Sequence, residues 1–403
     1  MNKKKLGLLI VSLVLFISYF FILNKNISMP TIPPVSKPQH IVVDTVDKKI
    51  DDILSNMTIE EKIGQMLVIY DTKSKVDDEL KEFISDIKPG GFIINQNNIT
   101  TYEKTKKYIS DLQKNSDIPL MISIDQEGGK VQRLQVLEDI KALYIPDMLS
   151  LGNTSDENLA YEVGRVMAEE MRTLGINVVY APVCDIFSNP NNTVIGNRSF
   201  GKTPELVSKM CTSLGKGLED NGIIATYKHF PGHGDTEADS HYSLPVINKS
   251  IEQLLNFELV PFINAIKNDA KIIMIGHIAL PNLDGNTPAS LSKKIITDLL
   301  KEQLGFDGLV ITDALNMGAL TDNYSDEEIY TKAIEAGVDI LLMPNNAYDA
   351  VKYIKNNITE ERINESVRKI LLFKYKYFKD SILDSSYLNS KEHQEIINKI
   401  PVE

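Results

Sequence analysis

Eight short apolar runs recur along this chain, and their spacing leaves few architectures open. They are MLVIY (66–70), GFIIN (91–95), LMISI (120–124), NVVYA (177–181), IIATY (223–227), KIIMI (271–275), GLVIT (308–312) and DILLM (339–343). The runs are continuous rather than alternating, which is the pattern of strands buried on both faces of a parallel sheet. Most of the segments between them carry helical periodicity, so the chain reads as repeated βα units. Eight such units between residues 66 and 343 predict an α/β protein whose sheet closes into a (β/α)8 TIM-type barrel, forming a single catalytic domain.

Each run ends near a polar residue: Asp71, Asn95, Asp125, Asp185, the pair Lys228 and His229, His277, Asp313 and Asn345. In a barrel these ends converge on one rim, where loops build the active site. Ordinary turn chemistry accounts for Asn95 and Asn345. It does not account for a lysine or a histidine, because neither is a turn former. The pattern therefore predicts a functional rim of carboxylates, imidazoles and an amine.

The composition excludes several other classes. A formal net charge of -12 provides no basic stripe able to neutralise a phosphate backbone, so nucleic acid is not an expected partner. Cys184 and Cys211 are the only cysteines, too few for a disulfide framework and without redox or zinc spacing. The content of 43% hydrophobic and 24% charged residues suits a globular domain with a substantial core.

The N-terminal residues are a different material. Lys3, Lys4 and Lys5 precede an uncharged apolar run from Leu6 to Leu23, 18 residues long, enough to cross the hydrocarbon core as a transmembrane helix with its lysine end in the cytoplasm. A cleaved signal sequence is the competing reading, although no A-x-A-like site follows. Residues 1–28 are thus expected as a membrane anchor and 29–45 as a linker stiffened by Pro30, Pro33, Pro34 and Pro38. The barrel is expected over 46–380, opening on a capping box at Thr58 and Glu61, with 381–403 as a C-terminal tail.

The stretch KHFPGHGDTEADSH at 228–241 holds the densest chemistry. Pro231, Gly232 and Gly234 forbid a regular helix, so a loop after the fifth strand is expected to carry Asp239 and His241. The D-x-H spacing lets a carboxylate bond one ring nitrogen and present the other to a substrate. That arrangement favours the imidazolium and suits a general acid near neutral pH.

These residues resemble the β-N-acetylglucosaminidase (β-hexosaminidase) branch of glycoside hydrolase family 3. The KH-F-P-G-x-G-x(4)-D-S-H pattern stands as Lys228 to His241, D-Q-E-G-G-x-V-x-R as Asp125 to Arg133, and G-x-R-S-F as Gly196 to Phe200. A T-D-A-L-x-M element follows as Thr312 to Met317. The resemblance runs from about residue 50 to about 375 and implies roles by position. Asp313 would be the nucleophile and His241, paired with Asp239, the acid/base of a retaining hydrolase. Asp125, Arg133, Arg198, Lys228 and His229 would contact sugar hydroxyls and the acetamido group. No cofactor and no metal are implied. The substrate would be an N-acetylglucosamine-containing glycan or muropeptide outside the cell, with the anchor holding the enzyme at the membrane. Larger relatives carry a second α/β domain; no counterpart is expected here, so every catalytic group is expected from the barrel. Lys130 departs from an arginine often found in relatives.

Three other readings fit parts of the sequence. A metal-dependent hydrolase on the same barrel could draw ligands from His229, His233, Asp235, His241 and His277, yet Pro231 and Gly232 interrupt any helical H-x-x-x-H face. A phosphorylase of β-N-acetylglucosaminides is compatible with an acid/base histidine, which does not repel phosphate as a carboxylate would. A tethered sugar-binding module would bind without turnover. His277 is open between a core role and substrate contact.

Overall fold

The computed structural model describes residues 44–236, 244–378 and 382–401. The expected membrane-spanning run, the proline-rich linker, Asp239 and His241 all lie outside the described residues. Among the described residues no helix is long and apolar enough to cross a membrane.

All eight apolar runs become barrel strands: β1 (Leu67–Ile69), β2 (Gly91–Ile94), β3 (Met121–Ile124), β6 (Val178–Val179), β7 (Ile224–Phe230), β8 (Ile272–Ile275), β9 (Leu309–Thr312) and β10 (Leu341–Leu342). A short antiparallel hairpin, β4 (Gln126–Gly128) and β5 (Val131–Gln132), follows β3. Every residue of the eight barrel strands is buried, as expected of a parallel sheet with side chains packed inside and helices outside. The strand order is β10-β1-β2-β3-β6-β7-β8-β9, all parallel.

The barrel is nearly closed. Its seam runs between β9 and β10, where one parallel bridge joins Ile311 to Ile340. The Ile340 N–H donates to Val310 O at 3.0 Å and the Thr312 N–H to Ile340 O at 3.1 Å. Asp339 secures the same seam: its carboxylate accepts the Val310 N–H at 3.0 Å and the Ser366 hydroxyl at 2.7 Å. Lys369 lies 3.3 Å and Lys301 3.7 Å from Asp339 Oδ2.

Local sequence sets the helix ends. Thr58 and Glu61 form the expected capping box before Ile59–Gln65, and Ser325 with Glu328 forms another before Asp326–Ala336. The long helix Glu157–Leu174 starts at Asp156, whose carboxylate accepts from the Asn158 and Leu159 N–H groups, and stops at Gly175 with φ 87. It packs against Pro204–Asp220 at a distance only glycine permits. A Cβ on Gly164 would sit 2.2 Å from Leu214 O, and one on Gly217 2.1 Å from Tyr161 O.

Two features differ in detail from the sequence reading. Lys228, His229 and Phe230 belong to β7 and not to the loop after it, because the pairing with β8 shifts register after Tyr227 and resumes at Phe230 opposite Ile275. Residues 382–401 are folded onto the barrel. They carry a 3-10 turn at Ser385–Tyr387 and a helix at Lys391–Ile397, with Leu388, Ile396, Ile397 and Ile400 buried.

Asp339→Ala would leave Lys369 and the Val310 N–H without their buried partner at the seam. Urea unfolding is expected to show a loss of about 3 kcal/mol, the usual consequence of breaking a buried ion pair from one side.

Candidate active site

Strand ends β3, β7 and β9, the β4–β5 hairpin and the loop after β6 build one cavity of about 140 Å³, lined by Asp125, Glu127, Val131, Arg133, Val194, Arg198, Lys228, His229, His233, Asp313 and Met317. Larger concavities of about 330 and 320 Å³ lie elsewhere. Neither has a histidine in its wall; the second, at the ends of β1 and β10, holds Asp71, Lys73 and Glu79 but none of the histidine, arginine and lysine groups that the sequence singled out.

Glu127 is the electrostatic centre. It is 2% exposed, yet its two oxygens take the Arg198 guanidinium side-on, with Nε at 2.7 Å and Nη2 at 2.8 Å. Lys228 Nζ lies 2.7 Å from the same carboxylate and donates to Asp125 at 2.9 Å. Burial raises the Glu127 pKa, but the two cations outweigh it and hold the carboxyl well below the usual range. Burial lowers the Lys228 ammonium, but Asp125 and Glu127 overcome this and its pKa is raised. Arg133 Nη2 stands 3.8 Å from Asp125, and the Arg133 backbone N–H donates to Gln126 Oε1 at 2.8 Å.

His229 is oriented from behind. Its Nδ1 lies 2.7 Å from Asp185 Oδ2, so the N–H is held on that side and Nε2 is presented toward the cavity, 3.5 Å from Arg198 Nη2. Asp185 is fully buried and also accepts the His233 N–H at 2.6 Å and the His229 N–H at 3.3 Å. Burial would raise its pKa; the His229 charge and these donors bring it below the ordinary value.

Asp313 follows β9 directly. Its backbone N–H donates to Ile275 O at 2.9 Å, and its Oδ1 accepts the Ala314 N–H at 2.8 Å. Burial again pushes the carboxyl up, but His229, His277, the Ala314 N–H and Lys228 together lower its pKa, so it stands ionised at neutral pH. His277 is completely buried. Its Nε2 lies 3.0 Å from Ala314 O and its Nδ1 2.8 Å from Ser290 Oγ. It thus buttresses the backbone beside Asp313, the core role among the two left open by the sequence.

Of the residues singled out from sequence, Asp125, Arg133, Arg198, Lys228, His229 and Asp313 meet in this cavity. Glu127, which makes the site's main ion pairs, received no role, although it sits inside the D-Q-E-G-G motif. Asp185 was visible as a strand-end carboxylate, but the sequence offered no way to pair it with His229. Three candidate metal ligands hold protein partners instead: His229 on Asp185, His233 Nδ1 on Thr236 at 2.8 Å, and His277 on Ser290 and Ala314.

The described flanks of 237–243 are firmly held. Asn192 donates to His233 O at 2.7 Å, and Lys249 Nζ pairs with Asp235 at 2.9 Å and also with Glu258. On the far side, the Ile247 N–H donates to Ala279 O at 3.0 Å.

Comparison with known proteins agrees with this geometry. The family model described as "Glycosyl hydrolase family 3 N terminal domain" matches residues 58–372. The chain is 33% identical to "Beta-hexosaminidase A" of Pseudoalteromonas piscicida, over 79% of this chain but 59% of that protein's length. It is 32% identical to "Beta-hexosaminidase" of Idiomarina loihiensis, over 76% of this chain and 92% of that one. The solved structure of a glycoside hydrolase family 3 beta-N-acetylglucosaminidase from Paenibacillus sp. str. FPU-7 superposes with a TM-score of 0.80 at 36% identity, covering 85% of this chain and 68% of the other.

Asp313, Asp185 and Glu127 all have folded pKa values below their unfolded ones. Their stabilisation is complete above the unfolded carboxylate value of about 4 and is lost as pH falls through the depressed folded values. Thermal scans are expected to show this loss as a Tm that falls as the pH drops below about 4. A Tm independent of pH down to about 2 would mean these carboxylates are not charged in the folded protein.

Proposed function

This chain belongs to glycosyl hydrolase family 3, and from that premise we propose that it is a retaining β-N-acetylglucosaminidase that removes terminal β-linked N-acetylglucosamine. The observation that carries the reading is the Asp313 carboxylate, held ionised at the barrel mouth beside a dense set of hydrogen-bonding groups. The beta-hexosaminidases to which the chain is similar support the choice of sugar.

Asp313 attacks the anomeric carbon and forms a covalent glycosyl-enzyme. His241, oriented by Asp239, protonates the departing glycosidic oxygen and then removes a proton from water to release the sugar with its configuration retained. A histidine in this role avoids the repulsion that a second carboxylate would exert on the anionic nucleophile. Asp125 and Lys228, fixed by their mutual bond, bind sugar hydroxyls, while Arg133, Arg198 and His229 complete the ring of donors and acceptors around the hydroxyls and the acetamido group.

The apolar run at 6–23 supports a reading in which the enzyme sits at the membrane with its barrel outside the cytoplasm, acting on peptidoglycan fragments, with chitin-derived oligomers fitting equally well. Cleavage of that run would instead release the enzyme.

The deciding measurement is release of chromophore from a β-N-acetylglucosaminide and from the matching β-glucoside, by the wild type and by Asp313→Asn. Turnover is expected with the acetamido substrate alone, falling at least about 10³-fold in the variant. Equal rates on the glucoside would overturn the sugar assignment, and an active variant would overturn the nucleophile. Sugar 1-phosphate appearing when phosphate is added would replace hydrolysis with phosphorolysis, and activity lost on chelation would favour the metal-dependent reading.

A further inference from the structure

The segment 382–400 ends a chain of polar contacts that begins at the cavity. Glu170, on the helix Glu157–Leu174, is the junction. It is 4% exposed and divides its oxygens between two parts of the molecule. Oε1 accepts the N–H of Asn389 at 2.6 Å and lies 3.5 Å from His393 Nδ1, both in the C-terminal segment. Oε2 accepts the N–H of Leu143 at 2.8 Å. Asn389 has φ 49, a left-handed conformation that asparagine tolerates better than most residues, at the point where its N–H meets Glu170.

Leu143 belongs to the strip that backs the β4–β5 hairpin. Gln135 Nε2 donates to Leu143 O at 2.9 Å, and Gln132 holds Ile145 from both sides, donating to its carbonyl at 2.9 Å and accepting its N–H at 2.9 Å. The Gly129 N–H adds a bond to Ile145 O at 2.9 Å. Within the hairpin, Gln126 Oε1 accepts the N–H groups of Arg133 and Leu134. The hairpin thereby delivers Glu127 and Arg133 to the cavity.

We propose that Glu170 and His393 are positioning residues, through which the C-terminal segment 382–400 holds the substrate-binding hairpin in its binding geometry. The buried carboxylate serves two otherwise orphaned backbone donors, so displacing the C-terminal segment also loosens the group that fixes Leu143.

His393 makes the connection sensitive to pH. Its ring is 1% exposed, with Nε2 2.8 Å from Glu169 Oε2. Arg165 pairs with Glu169, Glu162 and Glu392 around it, and the Tyr387 ring lies 6.2 Å away. Burial lowers the imidazolium pKa, but Glu170 and Glu169 outweigh it and the net shift is upward. The contribution of His393 is therefore complete below its unfolded value of about 6.5 and is lost as pH rises through the higher folded value.

The test uses the full chain with Glu170→Ala and His393→Gln, read by amide hydrogen exchange and by KM and kcat on the chromogenic β-N-acetylglucosaminide. Only the kinetic arm rests on the glycosidase reading. In Glu170→Ala, exchange at 126–145 is expected to quicken about tenfold and KM to rise about tenfold, with kcat within about twofold. The wild-type KM is expected to rise at alkaline pH; His393→Gln, the milder change, should raise KM about threefold and lack that alkaline rise. Faster exchange confined to 382–400, with 126–145 and KM unchanged in both variants, would reduce the segment to a passive tail and overturn the proposal. A wild type without turnover would sink the glycosidase reading alone, and exchange at 126–145 would still decide this one.

Discussion

Two cations buried on one carboxylate organise the mouth of this barrel. Taking Lys228, Arg198 and Glu127 out of water is expensive, and their mutual attraction offsets that only when the geometry is close and the remaining donors are satisfied. Glu127 meets that condition through three contacts of 2.8 Å or less, and Asp125 supplies the fourth charge that balances the set. Since the partners come from the hairpin after β3, from β7 and from the turn Gly196–Arg198, no one of these segments can move without exposing an unpaired buried charge.

The same balance governs the chemistry available at Asp313. A carboxylate among buried groups would ordinarily hold its proton. Here the positive potential of His229, His277 and Lys228, with one backbone donor, keeps it anionic. Asp185 holds His229 in one orientation from the side away from the cavity, while Glu127 fixes Lys228 from within the cavity wall. The glycosidase reading requires such an arrangement, in which an anionic carboxylate and rigid sugar-binding groups exist before substrate arrives.

Much of this was legible in the residues. The eight apolar runs coincide with the eight strands because a strand buried on both faces must be apolar at consecutive positions, a local signature. The capping box at Thr58 was readable for the same reason, since it is an exchange of hydrogen bonds within four residues. Six of the residues chosen as site groups meet in one cavity because barrel topology brings strand ends together whatever the sequence separation. Glu127 drew no role, because in one dimension a carboxylate beside two glycines gives no sign of the two cations it meets from 71 and 101 residues away.

The sequence by itself determined the class of fold, the strands and the first helix start, which follow from patterns of a few residues, while Asp313 became the nucleophile candidate through the family resemblance of its motif. Tertiary structure alone decided which charges neutralise one another, which way His229 faces, that His277 supports the backbone next to Asp313, and that residues 382–400 reach Glu170. The physical reason is that hydrophobic periodicity and capping act over one turn or one strand. Electrostatic pairing in a buried site depends on distances between segments that only the closed barrel sets.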